Sequence, residues 1–320
     1  MWHGRPRPCI GGKCTAEGDC ATPSIGLWGT RLSTNRMETF KVASVQMNAL
    51  KGDLEHNLEV HRHFTAEAAD AGCRLVLFPE LGVTAHFGEA SATEFAEPTT
   101  GGPIFNEMCT LAKKHDIVIS YGFCEEAHGT FYNAQSLVGP DGFIGCQRKV
   151  HASWDEYFYF RMGRSLEVFD LAFAKVGTLI CFDGTFFEVW RLLALKEADV
   201  ILCPHAARIK RGEKVPDEEI LEGLKNRTEE LPGKTGVYAK DNSVFAVTCN
   251  QVGYNGHSTH GGGASVVGPD GELIVASEPS LEDLMITADL DAEALKKARN
   301  NNSALRLRRP ELYGGLSEMI

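Results

Sequence analysis

No stretch of the 320-residue chain holds the roughly 18 consecutive apolar residues that a membrane-spanning helix requires. The opening segment, MWHGRPRPCIGGKC, carries arginine but lacks the apolar core of a secretory signal. A basic excess is also missing: 32 Lys and Arg face 43 Asp and Glu, for a net charge of −11. Sequence-independent binding to nucleic-acid phosphates needs a Lys/Arg patch, so no nucleic-acid partner is expected. The 10 cysteines do not cluster as in a small disulfide framework. Seven of them (Cys73, Cys109, Cys124, Cys146, Cys181, Cys203 and Cys249) fall in or beside predicted strands and helices. The expectation is a reduced, cytoplasmic protein with no membrane partner.

Residues 1–36 have no hydrophobic period and are rich in Gly, Pro, Ser and Thr. They read as a disordered N-terminal extension, with the folded domain spanning 37–320. Cys9, Cys14 and Cys20 follow a C-x4-C-x5-C spacing that matches no common zinc pattern. From Phe40 the pattern orders, and the 43% hydrophobic content is enough for a sizeable core. FKVASVQM (40–47) reads as a strand, and 53–72 as a helix capped by Asp53 and stopped by Gly72. RLVLFPE (74–80) is a buried strand, 103–115 a helix opened by Pro103, and 116–123 a strand.

Residues 134–146 and 263–275 both place Gly-Pro-Asp-Gly between apolar runs, the mark of a turn. KVGTLICF (175–182) reads as a strand, 186–198 as a helix, 199–205 and 242–250 as strands, and 284–290 as the last strand. Residues 206–240 read as a charged surface excursion over the site. Strands alternating with helices, then hairpins, imply a mixed α/β layered domain.

Three chemistry-bearing residues stand at strand ends: Glu80, Lys149 and Cys181. Alone, each has an ordinary reading as a loop acid, a solvated cation or a buried thiol. Together they form a working set. A thiolate attacks carbonyl or nitrile carbon once a base activates it. A carboxylate can take the thiol proton and pass it to the leaving amine. A fixed ammonium stabilises the oxyanion, where losing one donor costs about 3 kcal/mol.

LVLFPE, RKVH and GTLICFDGTFFE, in this order, resemble the glutamate, lysine and cysteine motifs of the nitrilase superfamily of carbon–nitrogen hydrolases. RRPELYG (308–314) resembles its C-terminal segment, so the likeness covers about residues 40–315. The resemblance implies a four-layer αββα sandwich and a homodimer or larger homo-oligomer. It implies Glu80 as general base, Lys149 as oxyanion stabiliser and Cys181 as nucleophile of a thioester mechanism, without metal or cofactor. A second glutamate of the family falls on Glu156, with Asp155 its neighbouring competitor.

Phe182 and Asp183 follow the cysteine where true nitrilases carry Trp-Glu, which resembles the amidase and carbamoylase branches. Gly184 and Thr185 stand where one kind of amino-acid carbamoylase has two arginines, and Phe187 replaces a usual proline. Arg208 or Arg161 are the replacements at hand for that carboxylate clamp. His151, Asn133, Phe182, Asp183, Thr185 and His205 are the candidate substrate contacts, with the aromatic run from Trp154 and Tyr157 to Phe160 as a further pocket wall, core or interface. His257 and His260 are three apart but have no third metal ligand in view.

The leading expectation is hydrolysis of a small amide or N-carbamoyl amine with release of ammonia. The competitors are a nitrilase, a silent scaffold of the same fold and a papain-like Cys–His hydrolase.

Overall fold

The structure is a computed structural model that describes residues 37–86 and 93–318. The predicted extension over 1–36, with its three cysteines, lies outside the described residues. In chain order the elements are β1 (Phe40–Gln46), α1 (Leu54–Asp70), β2 (Cys73–Leu77), α2 (Pro103–His115), β3 (Val118–Ala127), β4 (Thr130–Gly139), β5 (Gly142–Arg148), β6 (Val168–Asp170), β7 (Lys175–Thr178), α3 (Phe187–Leu195) and β8 (Val200–His205). They continue with β9 (Arg208–Lys210), α4 (Asp217–Glu229), α5 (Gly233–Asn242), β10 (Phe245–Asn250), β11 (Val252–Tyr254), β12 (Thr259–Gly261), β13 (Ala264–Val267), β14 (Leu273–Ala276), β15 (Leu284–Leu290), α6 (Ala292–Asn301) and α7 (Ser303–Arg306).

Local signals explain most boundaries. The Asp53 side chain accepts from His56 N and starts α1, and Gly72 leaves it with φ of +78°. Pro103 opens α2, whose first N–H groups at Ile104 and Phe105 find the distant Glu97 carboxylate. Both Gly-Pro-Asp-Gly segments are hairpin turns, with Gly142 and Gly271 at φ of +110° and +88°.

Two sheets of 6 strands face each other, in the orders β15-β1-β2-β3-β4-β5 and β6-β7-β8-β10-β13-β14. Each has three parallel strands in the middle, an antiparallel hairpin on one side and one antiparallel edge strand on the other. The registers also correspond. Val42 lies opposite Leu75 and Leu75 opposite Val118, as Val176 lies opposite Val200 and Val200 opposite Phe245.

Alternation along the strands builds the layers. Val42, Leu75, Leu77, Val200, Leu202 and Val247 fill the space between the sheets. Val45, Val76 and Phe78 point the other way, onto Phe64 of α1 and Met108 of α2. Ile201 and Ala246 meet Val189 and Leu193 of α3 and Ala239 of α5. Each sheet therefore buries apolar side chains on both of its faces, each worth roughly 1.5–3 kcal/mol. The result is the expected αββα sandwich.

Three expectations change. The strand over 175–182 stops at Thr178, because the chain must turn to present Cys181. Residues 206–240 are not wholly a surface excursion: Ala239 is buried, and Tyr238 packs at 5.7 Å on Trp190. Trp154 is 86% exposed and Phe158 83%, so within this chain that aromatic run is not core; Phe160 alone is buried.

Candidate active site

β5 runs antiparallel to β4, and β4 antiparallel to β3, so β5 ends at the same edge as parallel β2. That is why Glu80, just past β2, and Lys149, just past β5, arrive together. β7 ends at the corresponding edge of the facing sheet and delivers Cys181. Gly122 on β3 lets the Pro79–Leu81 loop lie flat. A Cβ at Gly122 would stand 2.3 Å from Leu81 N and 2.5 Å from Pro79 O.

Glu80 and Lys149, two of the three residues expected from sequence, form one buried cluster with Glu156, and the half-buried Cys181 lies within electrostatic reach of it. Lys149 Nζ donates to Glu80 Oε1 at 2.7 Å and to Glu156 Oε2 at 2.8 Å. Asn133 Nδ2 donates to Glu80 Oε1 at 2.7 Å and to Glu156 Oε1 at 2.9 Å, tying the two carboxylates together. Ala206 N–H holds Glu80 Oε2 at 2.7 Å. Glu156 also accepts from Ser153 N and Ser153 Oγ, each at 2.7 Å, in a capping box. Asp155, the competitor, instead pairs with Arg208 and Arg211.

Burial works against charge on Glu80, but Lys149, opposed by Glu156 and aided by His86, leaves its carboxyl below the ordinary range. Glu156 is buried too, and Lys149 and His86 hold it well below. Burial also opposes charge on Lys149, yet Glu80, Cys181 and Glu156 push its ionisation up, so it stays an ammonium. Burial, then the Glu80 charge, pushes the Cys181 thiol up, against Lys149. The resting site is thus two carboxylates, one ammonium and a neutral thiol. Cys181 opens a short 3-10 turn with φ of +49°, the left-handed region that costs a non-glycine residue about 1–2 kcal/mol.

The other expected contacts divide. Asn133 lies inside the cluster. Half-buried His205 sits within electrostatic reach of Glu80 and Lys149, and burial lowers its ring to about 4, so it is neutral at pH 7. Phe182 is 37% exposed, edge-on to Phe186 at 5.3 Å. Asp183 moves from the substrate side to the scaffold. It is fully buried, and its carboxylate accepts from Ile180 N at 3.1 Å, Val150 N at 3.3 Å and His151 N at 2.8 Å. His151 is committed to the same support: Nδ1 meets Asp183 at 2.9 Å, and its ring stacks on Phe186 at 3.9 Å. Thr185 is exposed, and its carbonyl accepts from Lys234 Nζ. Arg161 is exposed as well.

His86, Ser153, Ala206 and Gln251 complete the site. His86 Nε2 lies 3.5 Å from Glu156 Oε1. Gln251 Nε2 donates to Glu80 O at 2.8 Å. Ser153 had a readable signal in S-x-x-E; the others depend on long-range contacts. Glu80, His86 and Glu156 bring ligand atoms within 4.8 Å of one another. Lys149 Nζ already binds both of those carboxylates, so the positive charge a metal would supply is provided by the chain. His260 is buried beside His86 at 6.5 Å between ring centroids, and its ring is held neutral by that burial and by neighbouring cations.

The family model described as carbon–nitrogen hydrolase matches residues 41–300. An N-carbamoylputrescine amidase of Solanum tuberosum is 31% identical over 296 residues, covering 87% of this chain and 94% of that protein. A nitrilase of Pyrococcus abyssi is 31% identical over 278 residues, covering 85% and 98%. Among solved structures, a variant of the amidase from Nesterenkonia sp. AN1 has the acetamide moiety of fluoroacetamide covalently on its active-site cysteine. It superposes with a TM-score of 0.71 at 21% identity, covering 88% of this chain and 97% of that one.

Proposed function

The chain belongs to the carbon–nitrogen hydrolase family, and from that premise we propose that it hydrolyses a small amide or N-carbamoyl amine through a Cys181 thioester, releasing ammonia. The observation that carries this reading is the buried Glu80–Lys149–Glu156 cluster set against a thiol on a left-handed turn.

The charges dictate the order of events. The thiol is neutral at rest, so attack requires its proton to leave as sulfur approaches carbonyl carbon. Glu80, ionised and fixed by Lys149, Asn133 and Ala206, is the acceptor. Charge then builds on the carbonyl oxygen, and the Lys149 ammonium balances it. Glu156 holds Lys149 from the other side, so the cation need not reorganise. Glu80 returns its proton to the departing nitrogen, and ammonia leaves with the C–N bond pair. The acyl or carbamoyl group remains on sulfur. A water molecule, giving its proton to Glu80, attacks the thioester carbon and restores the thiol. From an N-carbamoyl amine this hydrolysis releases a carbamic acid, which breaks down to the amine and carbon dioxide.

The test uses matched amide, N-carbamoyl amine and nitrile substrates with ammonia release as the readout. Mass spectrometry should find the acyl adduct on Cys181, and Cys181→Ala should form none. Turnover of the nitrile alone would reject amide chemistry.

A further inference from the structure

His86 is buried at a cost. Its side chain is 4% exposed, Nε2 lies 3.5 Å from Glu156 Oε1, and among the described residues Nδ1 has no hydrogen-bond partner. An apolar side chain of similar shape would avoid that unmet nitrogen, which costs about 1–3 kcal/mol. The backbone that carries the ring is costly as well. Leu81 and Ala85, at the two ends of the turn after Glu80, sit in the left-handed region with φ of +48° and +62°. Each such residue costs about 1–2 kcal/mol, and strain of this kind persists where the surrounding structure requires it. Here it curls residues 81–85 so that Glu80, His86 and Glu156 bring polar atoms within 4.8 Å of one another.

The ring is aimed from outside the cluster. Asn255 Nδ2 donates to His86 O at 2.8 Å and lies 3.2 Å from His260 Nε2. Asn255 is itself held, its Oδ1 accepting from His257 N at 3.0 Å and Ser258 N at 2.8 Å. The turn that carries His257 and His260 thus braces His86. Across β9 and β12, His260 lies opposite Arg208, whose Nη2 donates to Asp155 Oδ1 at 3.1 Å, one residue before Glu156. The small sheet of β9, β11 and β12 therefore grips Glu156 from both flanks. Burial works against charge on Glu156, and Lys149, then the His86 contact, hold its carboxyl well below the ordinary range.

We propose that His86 is a positioning residue for the hydrolysis: its Nε2–H steadies Glu156 Oε1, and through Glu156 it keeps Lys149 aimed at the developing oxyanion. The proposal rests on the hydrolase reading above. Glu156 Oε1 already accepts from Asn133 at 2.9 Å and from Lys149 at 3.0 Å. As Lys149 turns its charge toward the substrate oxygen, Oε1 loses part of one donor. The loose His86 contact then shortens to replace it. The contribution of His86 therefore grows in the transition state and falls on kcat.

The test compares His86→Leu, His86→Gln and His86→Asn in the full chain, reading ammonia from pentanamide, N-carbamoylbutylamine and N-carbamoylputrescine. Glutamine can place an amide N–H where Nε2 stands, whereas asparagine places it near Nδ1, away from Glu156. His86→Leu should lower kcat roughly 10- to 100-fold with KM within about 3-fold. His86→Gln should recover most of that rate, and His86→Asn should not. On a Glu156→Gln background, His86→Leu should cost no more than about 3-fold further, because both residues act through one carboxylate. Melting temperatures and Cys181 alkylation show which variants are folded. If His86→Leu does not fold, His86→Gln against His86→Asn decides the point. An unchanged kcat, a loss confined to KM, equal rates for His86→Gln and His86→Asn, or losses that multiply in the double variant overturn the positioning role and leave the hydrolase reading standing. No ammonia from the wild type on any of the three compounds overturns both.

Discussion

Replacing Glu80 with Gln should make Cys181 more reactive toward an alkylating reagent while nearly abolishing amide hydrolysis. The two effects oppose each other because Glu80 does two things in the site. After burial, its charge is the largest influence that pushes the thiol pKa up and so disfavours the thiolate. It is also the base we propose for the attack. A neighbouring unit charge typically changes an ionisation constant by a factor of roughly 10 to 1,000. Glu80→Gln should therefore increase the thiolate present at a given pH by at least about 10-fold. Iodoacetamide, which needs only thiolate, should react faster, though less than proportionally, because a weaker base is a weaker nucleophile. Amide hydrolysis should fall roughly 100- to 10,000-fold, the usual weight of a positioned base.

The substitution should be tolerated. Breaking a buried ion pair costs about 3–5 kcal/mol when the remaining charge is stranded. Here Lys149 keeps both contacts to Glu156, at 3.0 and 2.8 Å, so the cost should lie below that range. The assay is alkylation followed by mass spectrometry between pH 7 and 9, beside ammonia release from the same preparation and a urea unfolding curve. Alkylation that slows in step with turnover would refute the electrostatic account. Turnover within 10-fold of wild type would remove Glu80 as the base.

Gly122→Ala should lower kcat about 100-fold with a modest stability loss, since the Pro79–Leu81 loop must lift off β3 and carry Glu80 with it; unchanged kcat would show that the loop adapts. Asp183→Ala should destabilise the fold by about 2–4 kcal/mol, because the buried N–H groups of Ile180 and His151 lose their acceptor, without changing the ranking of substrates; urea midpoints and a substrate panel check both. His61 is fully buried and stacked on Phe78 at 4.1 Å, and burial lowers its ring to about 4 from 6.5. Because the folded value is the lower one, the stability it confers is complete above about pH 6.5 and lost as pH falls toward 4. The loss is of order 3 kcal/mol. Melting temperatures across that window should fall less steeply in His61→Phe.

The three-residue strands β6, β9, β11 and β12 are too short to show a period, whereas periodicity and caps made most strands of the two large sheets, α1, α2 and both hairpin turns legible. The end of β7 was not: LIC is as apolar as a strand, and only the need to expose Cys181 at a turn stops it at Thr178. α5 looked like surface because Lys234, Lys240 and Asp241 dominate its composition, whereas Ala239 decides its packing. In the site, Glu80, Lys149 and Cys181 could be named because each follows a predicted strand, and Glu156 because it falls where the resembled family has a second glutamate. Asp183 was placed on the substrate side by its position next to the nucleophile. A buried carboxylate near three backbone N–H groups answers to them first, and sequence adjacency carries no sign of that. His86 and Gln251 reach the cluster only through tertiary contacts.

The matched registers of the two sheets place unlike residues at like positions. Glu80 follows Leu75 by five residues, as His205 follows Val200, and Leu75 and Val200 hold the same place in their sheets. Met47 follows Val42, as Cys181 follows Val176, by the same five. The scaffold thus offers each strand end twice, and in the proposed mechanism the chain uses one copy of each for chemistry. The unused copies matter through their neutrality. A second acid at His205 would face Glu80 and Lys149, divide the ammonium between more carboxylates and push the thiol higher still. A histidine held neutral by burial adds no charge at neutral pH. Lys149 is left to balance Glu80 and Glu156, and burial together with that two-to-one ratio pushes the Cys181 thiol up; in the proposed mechanism the substrate carbonyl brings the further demand for positive charge.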